Sequence, residues 1–310
     1  MEAANRAMRS SGDLLADRRY GFAMALAERG DREGAADLLA QAVEIAPHFA
    51  SGWFALGELR ETLGDSAGAR DAFARAQAAD PDDVHGAALR LARLGAPAAD
   101  AMSTGYVRTL FDQYAGRFDT ALENLAYRGP NLLLAALAQA CGASGRAMRF
   151  GRALDLGCGT GLAGAAIRPL CDWLVGVDAS PGMIAQARQK KLYDEVEVGE
   201  LAVFVAAQRA SGARYDLVLA ADVCPYFGDL APILGAVGTI LSARALVGFT
   251  VETYAGTGVV LGEKLRYAHG EEHVHAAVAA AGLALQSIDR AQIRTEAGKP
   301  VPALIVVAAA

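Results

Sequence analysis

ALDLGCGTG, residues 153–161, decides how this chain is read. Residues 153–156 are apolar except for Asp155 and fit a short buried strand. Gly157, Gly159 and Gly161 follow, and a helical pattern starts at Leu162. Glycine adopts backbone conformations closed to other residues and puts no Cβ between chain and ligand, so this corner is expected to hold a ligand. Asp155 ends the strand. A carboxylate there suits a ligand with a positive charge and not a pyrophosphate.

Strands and helices alternate outward from this corner. Strands are predicted at 153–156, 174–177, 196–198, 217–220 and 245–251. Helices are predicted between them at 162–168, 181–191, 201–210 and 230–241. Such alternation implies a parallel sheet with helices on both faces, an α/β fold. A last helix at 271–281 precedes strands at 283–289 and 303–307, which can pair as an antiparallel hairpin at the sheet edge.

The first hundred residues contain a repeat. Gly30, Asp31, Ala35, Ala42 and Pro47 recur as Gly64, Asp65, Ala69, Ala76 and Pro81, each 34 positions on. That is the tetratricopeptide period, with two antiparallel helices per copy. Pro47 and Pro81 stop the second helix of each copy. A third helix at 84–94 caps the stack. An all-α domain is therefore expected over 1–95, a linker over 96–105 and the α/β domain over 106–310, with a helical cap at 106–141. Two repeats are a short stack. Support is expected from the neighbouring domain or from a second copy of the chain, giving a homodimer.

The 310 residues are enough for two cores. The net charge of −6 is uneven. Residues 1–100 hold 11 Lys/Arg against 16 Asp/Glu, and the remainder 18 against 19. Neither half has the basic excess of a nucleic-acid binder. Cys141, Cys158, Cys171 and Cys224 form no metal-ligand or CxxC spacing, so no metal is expected. Residues 1–9 are polar and unlike a signal peptide, and no apolar run is long enough for a bilayer. A cytoplasmic setting with reduced thiols, and no membrane partner, is expected.

Gly159, Gly161 and Gly164 also spell GxGxxG, the dinucleotide fingerprint. Asp178, closing the second strand, suits ribose hydroxyls in either an NAD or an S-adenosylmethionine enzyme. Asp155 favours the second, since it can take an ammonium group. The run DASPGM, residues 178–183, places Met183 to cover an adenine face. Glu200 after the third strand is placed to accept from an adenine amino group.

Residues from about 103 to 310 resemble the class I S-adenosylmethionine-dependent methyltransferases, on this glycine motif with Asp178. The run FDQYAGRFD, residues 111–119, is similar to the helical cap of their small-molecule type. The resemblance implies a Rossmann-like sheet of seven strands with the last antiparallel. It places Asp155, Gly157, Gly159 and Gly161 at the methionine end of the cofactor. Asp178 then falls at the ribose, Met183 at the adenine face, and Glu200 or Leu201 at the adenine edge, with Ala179 also among the cofactor-binding residues. Tyr114 would close over the sulfonium, and Asp222 faces the same cleft.

Methyl transfer mainly needs alignment and exclusion of water, so a strong catalytic signature is not expected. Phe118, Tyr226, Arg266 and Tyr267 are candidates to contact a small-molecule acceptor. His269 is the candidate general base. Two alternatives remain: a protein or peptide acceptor recruited by the repeats, or a non-catalytic S-adenosylmethionine-binding interaction protein.

Overall fold

The computed structural model describes residues 8–98 and 101–310. Residues 1–7 of the polar start, and residues 99 and 100 of the expected linker, lie outside the described residues. The chain divides into two compact units, Met1–Leu110 and Phe111–Ala310.

The first unit is helical: α1 (Leu14–Glu28), α2 (Arg32–Ile45), α3 (Ala50–Thr62), α4 (Ser66–Ala79) and α5 (Ala87–Arg93). The 34-residue spacing is visible in the caps. Asp31 accepts from the Gly34 amide at 3.0 Å, and Asp65 from the Gly68 amide at 2.9 Å. Gly30 and Gly64, each ahead of such a cap, have φ of +89° and +83°. Small residues keep the helices close: a Cβ on Gly57 would lie 2.6 Å from the Phe73 ring. The fifth helix starts later than the sequence suggests. Asp83 and Gly86 both have positive φ and form a turn there, in which Asp83 accepts from the Ala87 and Ala88 amides.

The helix α6 (Thr104–Tyr114) carries Phe111 into the second unit. A single 3-10 turn, Ala115–Arg117, leads to α7 (Phe118–Asn124), followed by α8 (Gly129–Ala143). The sheet begins with β1 (Phe150–Leu156), then α9 (Leu162–Ile167), β2 (Cys171–Asp178), α10 (Pro181–Lys190) and β3 (Glu195–Val198). After α11 (Leu201–Ser211) come β4 (Tyr215–Ala220), α12 (Ala231–Gly238) and β5 (Leu241–Glu252). A small hairpin, β6 (Val259–Leu261) and β7 (Tyr267–His269), precedes α13 (Glu271–Ala280), β8 (Ala284–Glu296) and β9 (Lys299–Ala309).

The sheet order is β3-β2-β1-β4-β5-β9-β8. Strands β1 to β5 pair in parallel, and β9 is antiparallel to both its neighbours. This is the seven-stranded Rossmann-like sheet of class I methyltransferases, with the expected antiparallel strand. Period-two alternation sorts the two faces. Leu154, Leu156, Val175, Val177, Val247 and Phe249 meet α11, α12 and α13 through Phe204, Val237 and Val278. Ala153, Leu174, Leu217, Leu246 and Ile305 face Leu133, Leu137 and Cys141 of α8. The glycine corner, Asp178 and Asp222 lie at or beyond the carboxyl ends of β1, β2 and β4, where such sheets bind ligands. The β6–β7 hairpin was not foreseen as a separate sheet.

Candidate functional site

Gly157, Gly159 and Gly161 have φ of +72°, +54° and +93°, so all three turn the chain where L side chains are strained. The space beside them differs. A Cβ on Gly157 would lie 2.5 Å from Val223, and one on Gly161 would lie 3.1 Å from the Tyr193 ring. Only Gly159 faces open ground, its nearest neighbour being Phe118 at 3.9 Å. The expectation that all three glycines clear room for a ligand is therefore corrected. Gly159 leaves open space, while Gly157 and Gly161 make room for the protein itself. Gly164, the last glycine of the fingerprint, likewise exists for Tyr193: its Cβ would sit 2.2 Å from the phenol oxygen.

Asp178 fixes the loop. One carboxylate oxygen accepts from the Gly159 amide and the other from the Ser180 amide, both at 2.9 Å. Burial pushes its pKa up, and the two amides oppose that. Ala179 beside it is half-buried. Asp155 is fully buried, and one of its oxygens accepts from the Tyr193 hydroxyl at 2.7 Å. The other oxygen, Oδ1, has no partner. Burial raises the Asp155 pKa to about 6, against the Tyr193 hydroxyl and the Gly164 amide.

The cap segment is tied to this corner by two carboxylates to which the sequence analysis gave no role. Asp112 accepts from the Ser180 hydroxyl at 2.6 Å and from the Gly182 amide at 2.8 Å. Asp119 takes the Thr160 hydroxyl and the Lys190 ammonium. Their seven-residue spacing, in step with Phe111 and Phe118, was the available signal: one helix face carrying both rings and acids. The rings form a chain. Phe111 lies 5.2 Å from Tyr226 and 6.0 Å from Phe118, and Tyr114 lies 5.8 Å from Phe118. Arg117 stacks over Tyr114 at 5.1 Å. Phe118 thus stands beside Gly159, with Tyr114 against it and Tyr226 one ring further, beyond Phe111.

Two adenine-side expectations need correction. Glu200 is the N-cap of α11, and its two oxygens accept from the Ala202 and Val203 amides at 3.2 Å. A carboxylate used this way serves the helix first. Met183 is 1% exposed and has no free face for a ring to cover. Leu201, at the start of the same helix as Ala202, is half-buried.

The acceptor-side expectations change most. Arg266 is no open anion site: it pairs with Glu252 at 2.7 Å and Glu296 at 2.8 Å, and its side chain is largely buried. Arg294 of β8, missed by sequence reasoning, pairs with Asp222 at 2.7 Å, Glu296 at 2.6 Å and Glu252. Lys264 adds a further bond to Glu296. Burial opposes ionisation of Glu296, but Lys264 and Arg294 win and hold its pKa at about 2. Asp222 stands at the end of β4 with φ +60°, its amide on the Thr250 hydroxyl and its Oδ1 buried without a partner.

Tyr267 and His269 alternate with Ala268 on β7, and both are fully buried. His269 Nε2 lies 3.0 Å from the Phe227 carbonyl and donates to it, since a carbonyl only accepts. Burial, then the neighbouring His273, lowers the His269 pKa to about 4. His269 supports the 224–227 turn through Nε2, and its free nitrogen, Nδ1, is buried without a partner and has no exposed surface from which to take a proton. Among the described residues no group of His, Cys, Asp and Glu is arranged to hold a metal, and no helix is long and apolar enough to cross a membrane.

Comparison with known proteins bears on the two parts of the chain. Residues 154–247 match the family model described as a methyltransferase domain. Residues 26–94 match the tetratricopeptide repeat model. The chain joins tetratricopeptide repeats to a methyltransferase domain. Methyltransferase-like protein 27 from Homo sapiens is 37% identical over 89 residues, which are 28% of this chain and 35% of that protein. The TPR repeat-containing protein PA0015 of Pseudomonas aeruginosa is 42% identical over 55 residues, 18% of this chain and 52% of that one. The chain thus spans about a third and about half of these two relatives. Magnesium protoporphyrin IX methyltransferase from Synechocystis PCC 6803, solved with bound SAH, shares the fold at a TM-score of 0.50 and 15% identity. That likeness covers 66% of this chain and 98% of that one. The methyltransferase domain therefore owes its placement to both sequence and sheet topology.

Proposed function

We propose that the protein is an S-adenosylmethionine-dependent methyltransferase acting on a small molecule beneath the cap segment. The observation that carries this is the buried, unpartnered Asp155 Oδ1 close to the one loop glycine, Gly159, with open space beside it. A buried carboxylate oxygen without a partner is costly, and a cationic ligand group offsets that cost. The residues present fit the cofactor. Asp155 would take its ammonium group, the Gly159 backbone would lie along its methionine end, and Asp178 has lone pairs left for ribose hydroxyls. Tyr114 and Phe118 would offer aromatic faces to the sulfonium charge.

When bound, S-adenosylmethionine supplies a methyl group on an activated leaving group. The chain's own residues then orient and enclose the acceptor. Phe111 and Tyr226 supply its apolar wall, and the cap held by Asp112 and Asp119 excludes water.

Calorimetric titration with S-adenosylhomocysteine tests the cofactor. Binding in the micromolar range is expected. Absence of binding at millimolar ligand, or preference for NADH, would refute it. A second reading draws on the repeat-family match: the helical unit recruits a protein that is methylated. Incubating lysate with the enzyme and methyl-labelled cofactor separates the two. Label in a new acid-soluble species, separated from the cofactor by chromatography, supports a small acceptor, and label in the precipitate supports a protein.

A further inference from the structure

Tyr193 lies in the turn between α10 and β3, outside every motif singled out in the sequence. Three glycines from separate elements leave room for its ring. A Cβ on Gly161, Gly164 or Gly176 would meet it at 3.1, 2.2 or 2.8 Å. The phenol reaches one oxygen of Asp155 at 2.7 Å.

We propose that Tyr193 is a positioning residue for cofactor binding: its hydroxyl holds one oxygen of Asp155 and so presents the other to the cofactor's ammonium group. The proposal rests on the cofactor reading above. A carboxylate on a strand end rotates about its Cβ–Cγ bond unless something fixes it. Here one oxygen is fixed by a phenol wedged among glycines, and the other makes no hydrogen bond of normal geometry, with only the Gly164 amide acting on the carboxylate besides. A merely space-filling ring would need no hydroxyl. Phenylalanine fills the same glycine-lined space, so the hydroxyl is the atom with a specific task.

The same contact couples cofactor binding to pH. The groups facing Asp155 are the Tyr193 and Tyr127 phenols, the Cys158 and Cys171 thiols, and Asp178. Burial first of all pushes the phenols and thiols up, so they stay neutral at physiological pH. Asp155 and Asp178 are the groups that titrate. Burial lifts Asp155 to about 6, and the Tyr193 hydroxyl resists the rise. Below that pH, protonation removes the charge that an ammonium group needs.

The test uses the full chain and two ligands: S-adenosylhomocysteine, and 5′-methylthioadenosine, which lacks the amino-acid end. Calorimetry from pH 5 to 8 reads both affinities. For Tyr193→Phe at pH 7.5, S-adenosylhomocysteine should bind about tenfold more weakly, as expected for a lost hydrogen bond to a charged group. Methylthioadenosine should change less than about twofold, since its contacts are elsewhere. Wild-type affinity for S-adenosylhomocysteine should fall below about pH 6, and the fall should move to higher pH in Tyr193→Phe. In an Asp155→Asn background the Tyr193→Phe substitution should be silent. Equal weakening of both ligands, or an unmoved pH profile, overturns the proposal and leaves Tyr193 a packing residue. If Tyr193→Phe does not fold, wild-type affinity for S-adenosylhomocysteine that is flat from pH 5 to 7 overturns it. Failure of the wild type to bind either ligand instead refutes the cofactor reading itself.

Discussion

Replacing Arg294 by Met should damage the sheet unit out of proportion to a single surface charge. The guanidinium is 3% exposed and meets three carboxylates: Asp222 at 2.7 Å, Glu296 at 2.6 Å, and Glu252. Glu252 and Glu296 keep Arg266 at 2.7 and 2.8 Å, whereas Asp222 has no other ion pair among the described residues. Removing one partner of a buried pair costs about 3–5 kcal/mol, because the remaining charge stays buried without compensation. The Asp222 side chain is 24% exposed, which places the expected loss near the lower bound, about 3 kcal/mol. Arg290→Ala supplies the contrast. Its pair with Glu271 lies at the surface and should be worth under about 1 kcal/mol. The chain has two tryptophans, Trp53 in the helical unit and Trp173 on β2. Urea unfolding in a Trp53→Phe background, followed by Trp173 fluorescence, therefore reports on the sheet unit alone. The pH dependence gives an independent check. Glu296 is held at about 2, below its ordinary 4.5, so its contribution is present above 4.5 and lost as pH falls towards 2. Without Arg294 that depression shrinks, and the gap between wild type and variant should narrow from pH 7 to pH 3. A loss below about 1 kcal/mol, or a gap that does not change with pH, would refute this account of the network.

Further outcomes follow from the same geometry. Gly159→Ala should fold at a cost of about 1 kcal/mol for its left-handed φ, yet weaken S-adenosylhomocysteine binding at least about tenfold in calorimetry. Gly164→Ala has no space for its methyl group and should show a clear drop in melting temperature. His269 is buried and neutral with a pKa of about 4 against 6.5 when unfolded. The unfolded chain binds more protons between these values, so stability should decline as pH falls from 6.5 to 4, by up to about 3 kcal/mol. A His269→Gln variant should show a flatter melting-temperature profile across that window. Asp112→Ala should lose the Ser180 and Gly182 contacts, cost about 1–2 kcal/mol in urea, and raise the dissociation rate of S-adenosylhomocysteine in stopped-flow.

The parts legible in the sequence were those set by local chemistry. Alternating strands, positive-φ glycines and the 34-residue repeat all follow from rules about neighbouring residues. Asp178 was legible as the carboxylate that closes β2, because that depends on position alone, but its bonds to the Gly159 and Ser180 amides were not. What escaped notice depends on contacts across long stretches of chain. Arg294 is 72 residues from Asp222 and meets it only because β9 brings β8 onto the sheet. Tyr193 reaches Asp155 over 38 residues, with no motif to mark it. His269 and Arg266 misled for the same reason. An imidazole and a guanidinium look available in sequence, but Phe227 and Glu252 had already taken them in the fold. Glu200 shows a different limit: the residue before a helix is as useful for a cap as for a ligand.

The placement of β9 also bears on how the molecule is made. The sheet's last strand in sequence is not its edge in space: β9 sits between β5 and β8. Its residues Ala303, Leu304, Ile305, Val306, Val307 and Ala308 are all buried. During synthesis β5 must therefore wait, one side unpaired, while almost fifty residues emerge before its permanent neighbour arrives. An apolar strand with an open edge is a template for wrong pairing. The nascent sheet is therefore exposed to aggregation until β9 is made, and production of this protein should respond strongly to chaperones and to temperature at that stage.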